Sequence, residues 1–208
     1  RLKGDRQADA MFHGARALSR ADRDDEAIVG YREMLSVHPH SKYSAEASFL
    51  IGWLEYNRSH YDLAIKNLDE MLKRYSSGNF AEEARWYIGW SRYLLGDYAG
   101  ALPTFEALAK KTGLNGSKGV YWSAVAQLKL GKQQEGLSVL RKLAEREPFS
   151  YYGMLSRVRL KEAGQSVPLF LDPTRQSPLG LPEFQLPPDK QVVADDRLRR
   201  PEELLQFG

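Results

Sequence analysis

Ala27, Ala64 and Ala101 stand 37 residues apart, and each opens the same local phrase. Ala27-Ile28 is followed by Tyr31, Ala64-Ile65 by Leu68, and Ala101-Leu102 by Phe105. The small residues Ala15, Gly52 and Gly89 keep that step, as do the aromatics Phe12, Phe49 and Trp86. A fourth copy follows after 35 residues, with Tyr121, Ala124, Gly136, Leu137 and Leu140. A fixed period of this size marks stacked repeats, in which a unit buries its apolar face only against its neighbours. Such a chain works through an extended surface more than through one enclosed pocket.

The spacing within each copy predicts two helices. In the second copy a helix over 42–56 carries Ala47, Phe49, Leu50, Trp53 and Leu54 at steps of three and four. Asn57-Arg58-Ser59-His60 breaks the pattern, and a helix over 61–75 carries Ala64, Ile65, Leu68, Met71 and Leu72. In the third copy, helices over 82–95 and 98–111 flank a turn at Gly96-Asp97. Gly96 and Gly131 stand where a left-handed residue would end a helix. Pro39 and Pro148 close the first and fourth copies, where a missing N–H suits a chain leaving a helix. The small residues, midway in each first helix and early in each second, allow two helix backbones to approach closely.

These residues resemble tetratricopeptide repeats over about residues 5–148. The third copy carries the family's pattern in Gly89, Gly96, Tyr98, Ala101 and Phe105. The second matches with Gly52, Tyr61, Ala64 and Leu68 but has Ser59 where the family has Gly. The first matches with Ala15, Asp22, Asp24, Ala27, Tyr31 and Pro39, and the fourth with Ala124, Gly131, Gly136 and Pro148. Gln133 replaces the fourth copy's aromatic. The resemblance implies an all-α, right-handed TPR-like superhelix of about four to five helix pairs, with first helices lining a concave groove. The residues expected on that face are Arg16 and Arg20, then Trp53, Tyr56 and Asn57, then Trp86, Trp90 and Tyr93. Aromatic faces beside Arg and amide groups suit peptide side chains, sugar rings or another domain. Trp86 and Phe49 also read as packing between repeats.

A second phrase is more particular. Glu147-Pro148-Phe149-Ser150-Tyr151-Tyr152-Gly153-Met154-Leu155-Ser156-Arg157, running on through Leu160, resembles the helical region of soluble lytic transglycosylases. Those enzymes cleave the glycan strand of peptidoglycan with a separate lysozyme-like domain. That domain's general-acid Glu-Ser, Gly-Leu-Met-Gln-like and Ala-Tyr-Asn-like phrases do not occur here, so no catalytic residue is carried over. The resemblance implies a non-catalytic scaffold in the bacterial cell envelope, periplasmic or outer-membrane-associated. It would position peptidoglycan and its own catalytic domain. The alternative is a free-standing envelope adaptor that binds a partner protein in its groove.

Composition narrows the remaining classes. The chain of 208 residues is 42% hydrophobic and has no cysteine, which excludes disulfides, thiolate metal sites and thiol nucleophiles. A net charge of +3, from 30 basic and 27 acidic residues, is too small an excess to argue for nucleic acid. No apolar run approaches the ~20 residues of a membrane span. Of the four histidines only His38 and His40 are close, and no further ligand joins them, so no metal or other cofactor is expected. Asp24-Asp25 and Glu82-Glu83 read as helix starts favoured by the macrodipole, because adjacent helical residues do not face each other. The opening Arg1-Leu2-Lys3-Gly4 has no Met and no apolar signal core, which suggests a mature or trimmed segment.

After Gly164 the composition changes. Pro168, Pro173, Pro178, Pro182, Pro187 and Pro188 oppose helix, yet Leu169, Phe170, Leu171, Leu179, Leu181, Phe184 and Leu186 are too apolar for a free linker. The expected organisation is therefore helical repeats over 1–164, an extended Pro-rich strap over 165–190, and the start of a further helical segment over 191–208.

Overall fold

The computed structural model describes residues 2–165, and every element among them is a helix. In chain order these are α1 (Leu2–Arg20), α2 (Asp24–Val37), α3 (Ser44–Asn57), α4 (Tyr61–Arg74) and α5 (Asn79–Leu94). They continue with α6 (Tyr98–Ala109), α7 (Gly113–Lys129), α8 (Gln133–Arg146) and α9 (Tyr151–Glu162). The helices pair as α1–α2, α3–α4, α5–α6 and α7–α8, and α9 is the first helix of a fifth unit. The strap expected over 165–190 and the helical segment over 191–208 lie outside the described residues, Gln165 apart. None of the described helices is long and apolar enough to cross a membrane.

One turn is repeated at the end of every first helix. The N–H groups of Arg23, His60, Asp97, Lys132 and Gln165 donate to the carbonyls of Leu18, Glu55, Arg92, Gln127 and Leu160. The residue before each donor bonds one position further on, as Gly96 N–H does to the Tyr93 carbonyl at 3.0 Å. This is the Schellman closure, which needs the first of the two donor residues to be left-handed. That residue is Asp22, Ser59, Gly96, Gly131 or Gly164, with φ of 58°, 61°, 82°, 79° and 72°. Ser59 thus takes at φ 61° a conformation that glycine adopts freely. Ser59→Gly is expected to stabilise the chain by about 1 kcal/mol, since left-handed geometry costs a side-chain-bearing residue ~1–2 kcal/mol. Urea unfolding checks this; an unchanged or lower midpoint would refute it.

Each unit's apolar stripe packs on its own partner helix and on the next unit. Phe12, Ala27, Tyr31, Met34 and Ala47 share one buried cluster between the first two units. Phe49, Leu68, Met71, Ala84 and Ile88 form the next, then Ala101, Phe105 and Ala126, then Tyr121, Leu140, Leu143 and Leu160. The repeated alanines Ala27, Ala64 and Ala101 are fully buried, as their step of 37 requires. A Cβ on Gly52 would lie 2.5 Å from the Leu68 side chain, and one on Gly89 2.5 Å from Thr104. The small residues are therefore contact points between helices, as expected.

Two of the boundaries that differ from the sequence reading have a visible cause. α5 begins at Asn79, three residues before the expected 82, because Phe80 packs on Phe49 at 5.6 Å and carries the helix back towards the turn. α6 stops at Ala109 instead of 111, after only 12 residues, and holds Pro103. Its early end accommodates Gly113, Gly116 and Gly119 at the start of α7 and accounts for the shorter step of 35.

Candidate functional site

All four tryptophans of the chain, Trp53, Trp86, Trp90 and Trp122, stand on first helices. On α5, Trp86, Trp90 and Tyr93 follow one another at steps of four and three, so they share a face. Trp86 and Trp90 stack with planes 12° apart and centroids 5.7 Å apart. Trp90 and Tyr93 stack at 7° and 5.2 Å. α3 joins this column from one side. The Trp53 indole N–H donates to the Tyr87 hydroxyl at 3.3 Å, and Tyr56 lies 4.8 Å from Tyr87. The Tyr56 hydroxyl also lies near the indole N–H of Trp90.

α7 and α9 extend the strip on the other side. Trp122 meets Trp90 edge-on at 4.4 Å and Tyr93 at 5.4 Å. The Trp122 indole lies near the hydroxyl of Tyr152, which opens α9 beside Tyr121 at 5.5 Å. Beneath the strip, fully buried Phe105 of α6 touches Trp86 at 5.7 Å, Tyr93 at 6.2 Å and Trp122 at 6.5 Å. All four indoles are half-buried. Burial raises the pKa of Tyr56, Tyr93 and Tyr152, so these phenols stay neutral donors and acceptors; indole donors partly offset the shift at Tyr56 and Tyr152.

Of the residues expected on this face, the structure brings together Trp53, Tyr56, Trp86, Trp90 and Tyr93. It leaves three apart. Arg16 lies on α1 and pairs with Glu46 of α3 at 3.6 Å, Arg20 is exposed at the end of α1, and Asn57 is exposed in the last turn of α3. Phe49 is core, 4% exposed, in contact with Phe80 and Tyr87. The sequence reading missed Tyr87, Trp122, Tyr152 and Lys118. The repeat arithmetic held a signal for one of them, since Trp122 follows Tyr87 by the same 35 residues that separate the third and fourth units. Lys118 had none, because its place over the Trp86 ring depends on how α7 packs against α5.

Flat aromatic faces with hydrogen-bonded edges stack on apolar and planar groups. Among the described residues no group of three His, Cys, Asp or Glu could hold a metal ion.

The family model for the tetratricopeptide repeat matches residues 83–111 and 120–150, which are the bodies of the third and fourth units. Solved structures of similar fold include residues 41 to the end of MamA from Desulfovibrio magneticus RS-1. That match has a TM-score of 0.59 at 17% identity and covers 76% of this chain and 85% of that one. The chain has a TPR-like helical-repeat fold. A kinesin light chain protein of Podosopora anserina with nearly identical TPR-like repeats matches at TM-score 0.57 and 12% identity, over 76% of this chain and 85% of that one. At these identities the likeness extends to the fold and not to a ligand. No curated protein matches the chain.

Proposed function

We propose that this chain is a non-catalytic helical-repeat scaffold that docks a partner protein along the first-helix face. The observation that carries the reading is the concentration of every tryptophan in one connected strip across α3, α5 and α7. Trp53 is the cleaner probe, because it stands outside the stacked column of Trp86, Trp90 and Tyr93, although it also packs on the clusters of the first and second units. Trp90 is locked among Trp86, Tyr93 and Trp122, so its removal would disturb the fold as well. Trp53→Ala is expected to weaken binding of peptides selected on the wild-type chain about fivefold, the loss of about 1 kcal/mol of stacking. Helix content by circular dichroism should stay unchanged. Unaltered affinity would sink the reading.

The finer placement, as the scaffold region of a peptidoglycan lytic transglycosylase in the cell envelope, is supported by the phrase 147–160. In the fold this phrase opens α9. Ser150 caps the helix by accepting from Gly153 N–H at 3.0 Å, and a Cβ on Gly153 would lie 1.8 Å from the Glu147 carbonyl oxygen. Helix initiation thus explains Ser150 and Gly153, while Tyr152 joins the strip. The reading frame tests the placement. A downstream lysozyme-like domain with a Glu-Ser motif supports it, and a stop codon after Gly208 favours the envelope adaptor. The chain alone should release no anhydro-muropeptides.

A further inference from the structure

We infer that Lys118 sets the specificity of the strip by pairing with an acidic side chain of an extended partner peptide laid across Trp86 and Trp90. The inference rests on the docking face proposed above and adds the chemistry of what docks there. Lys118 projects from the start of α7, and its Nζ sits 3.2 Å from the centroid of the Trp86 ring on α5. The residue is half-buried.

Other cations nearby have polar partners. Arg92 donates to the Gly100 carbonyl, Lys111 pairs with Glu82 at 2.8 Å, and Arg159 bonds the Tyr121 hydroxyl and Glu162. Among the described residues Lys118 makes no ion pair and rests on the ring alone. Burial lowers its pKa, and no carboxylate opposes that shift. A ring face attracts a cation but fills none of an ammonium's three donors.

The surroundings are of mixed sign: Glu82 and Glu83 stand one turn before Trp86 on α5, Glu82 is held by Lys111, and Glu147 accepts from the Ser117 hydroxyl beside Lys118. α7 contains Lys118 and Lys129 and no acidic residue. α9 contains Arg157, Arg159 and Lys161 against Glu162 alone. A carboxylate arriving here meets a partly desolvated cation, where a charge-assisted hydrogen bond is stronger than a neutral one. Apolar or aromatic residues beside that carboxylate would lie on the open parts of Trp86 and Trp90. A neutral sugar chain offers Lys118 only hydroxyl and amide acceptors, without the charge assistance a carboxylate brings.

The test is selection from a bead-displayed library of random peptides with both ends blocked, using the whole chain. The wild type is expected to enrich peptides with Asp or Glu next to an apolar or aromatic residue. In titrations followed by tryptophan emission, changing that acid to its amide should weaken binding about tenfold. Lys118→Gln should bind acid and amide peptides alike, while Lys118→Arg keeps the preference. Binders with no acidic preference, or a Lys118→Gln variant that retains it, would overturn the inference and leave the docking face standing. If no peptide is enriched and chitin oligosaccharides bind in a Trp53-dependent way, both readings fall.

Discussion

Gly119→Ala is expected to cost about 3 kcal/mol of stability, the upper end of what overpacking a helix contact costs. Gly119 lies where α7 crosses α6. A Cβ there would stand 2.2 Å from the Ala109 nitrogen, 2.6 Å from the Leu108 carbonyl carbon and 2.7 Å from the Phe105 carbonyl oxygen. All three are backbone atoms, so no side-chain rotation relieves the clash and the helices must separate. At Gly52 and Gly89 the closest atoms belong to the Leu68 and Thr104 side chains, so the same change there should cost less. Gly14→Ala is the control. Nothing lies within 4 Å of a Cβ at Gly14, midway along α1, so alanine should stabilise by about 0.5–1 kcal/mol through helix propensity. Urea unfolding of the two variants reads both signs. A Gly119→Ala protein within about 1 kcal/mol of the wild type would show that α6 and α7 are less closely packed than described.

Phe105→Ala should cost about 3–5 kcal/mol and abolish partner binding, although Phe105 itself is fully buried. The cavity would open beneath Trp86, Tyr93 and Trp122 at once, because all three rings rest on this side chain. Half-buried rings lose their platform when the residue below is removed, and a docking surface depends on their alignment. Phe105→Leu keeps most of the volume and should cost less than ~1.5 kcal/mol. The readouts are unfolding by urea, the wavelength of tryptophan emission, and affinity at a temperature where the variant remains folded. A folded Phe105→Ala protein that binds as tightly as the wild type would separate the strip from its support and refute the account.

The repeat period made the fold legible. Alanines 37 residues apart stay on one face only if each unit repeats the same pair of helices, and Ala27, Ala64 and Ala101 are fully buried as that demands. Gly96 and Gly131 marked two of the five closing turns by residue type, because glycine enters left-handed geometry without strain. Asp22 and Ser59 occupy the same turn without that signature, and their place was readable only from the period. The arginines lie apart from the aromatic strip for a different reason. A long charged side chain takes the partner within reach, and Arg16 found Glu46 on the neighbouring α3.

What the amino-acid sequence by itself determined was the unit: two helices, a small residue at each crossing, and a stripe of large apolar groups that one unit cannot bury alone. Those are local properties, set by side-chain size and helical spacing. Tertiary structure alone decided how one unit's aromatics meet the next unit's. Trp90 stacks with Trp86 and Tyr93 of its own helix, yet its edge is set by Trp122 of α7. Lys118 reaches the Trp86 ring because the glycines of α7 let that helix settle against α6 at backbone distance. Contacts between residues about 35 apart depend on the rotation from one unit to the next. That rotation comes from the packing of whole helices, which no single residue encodes.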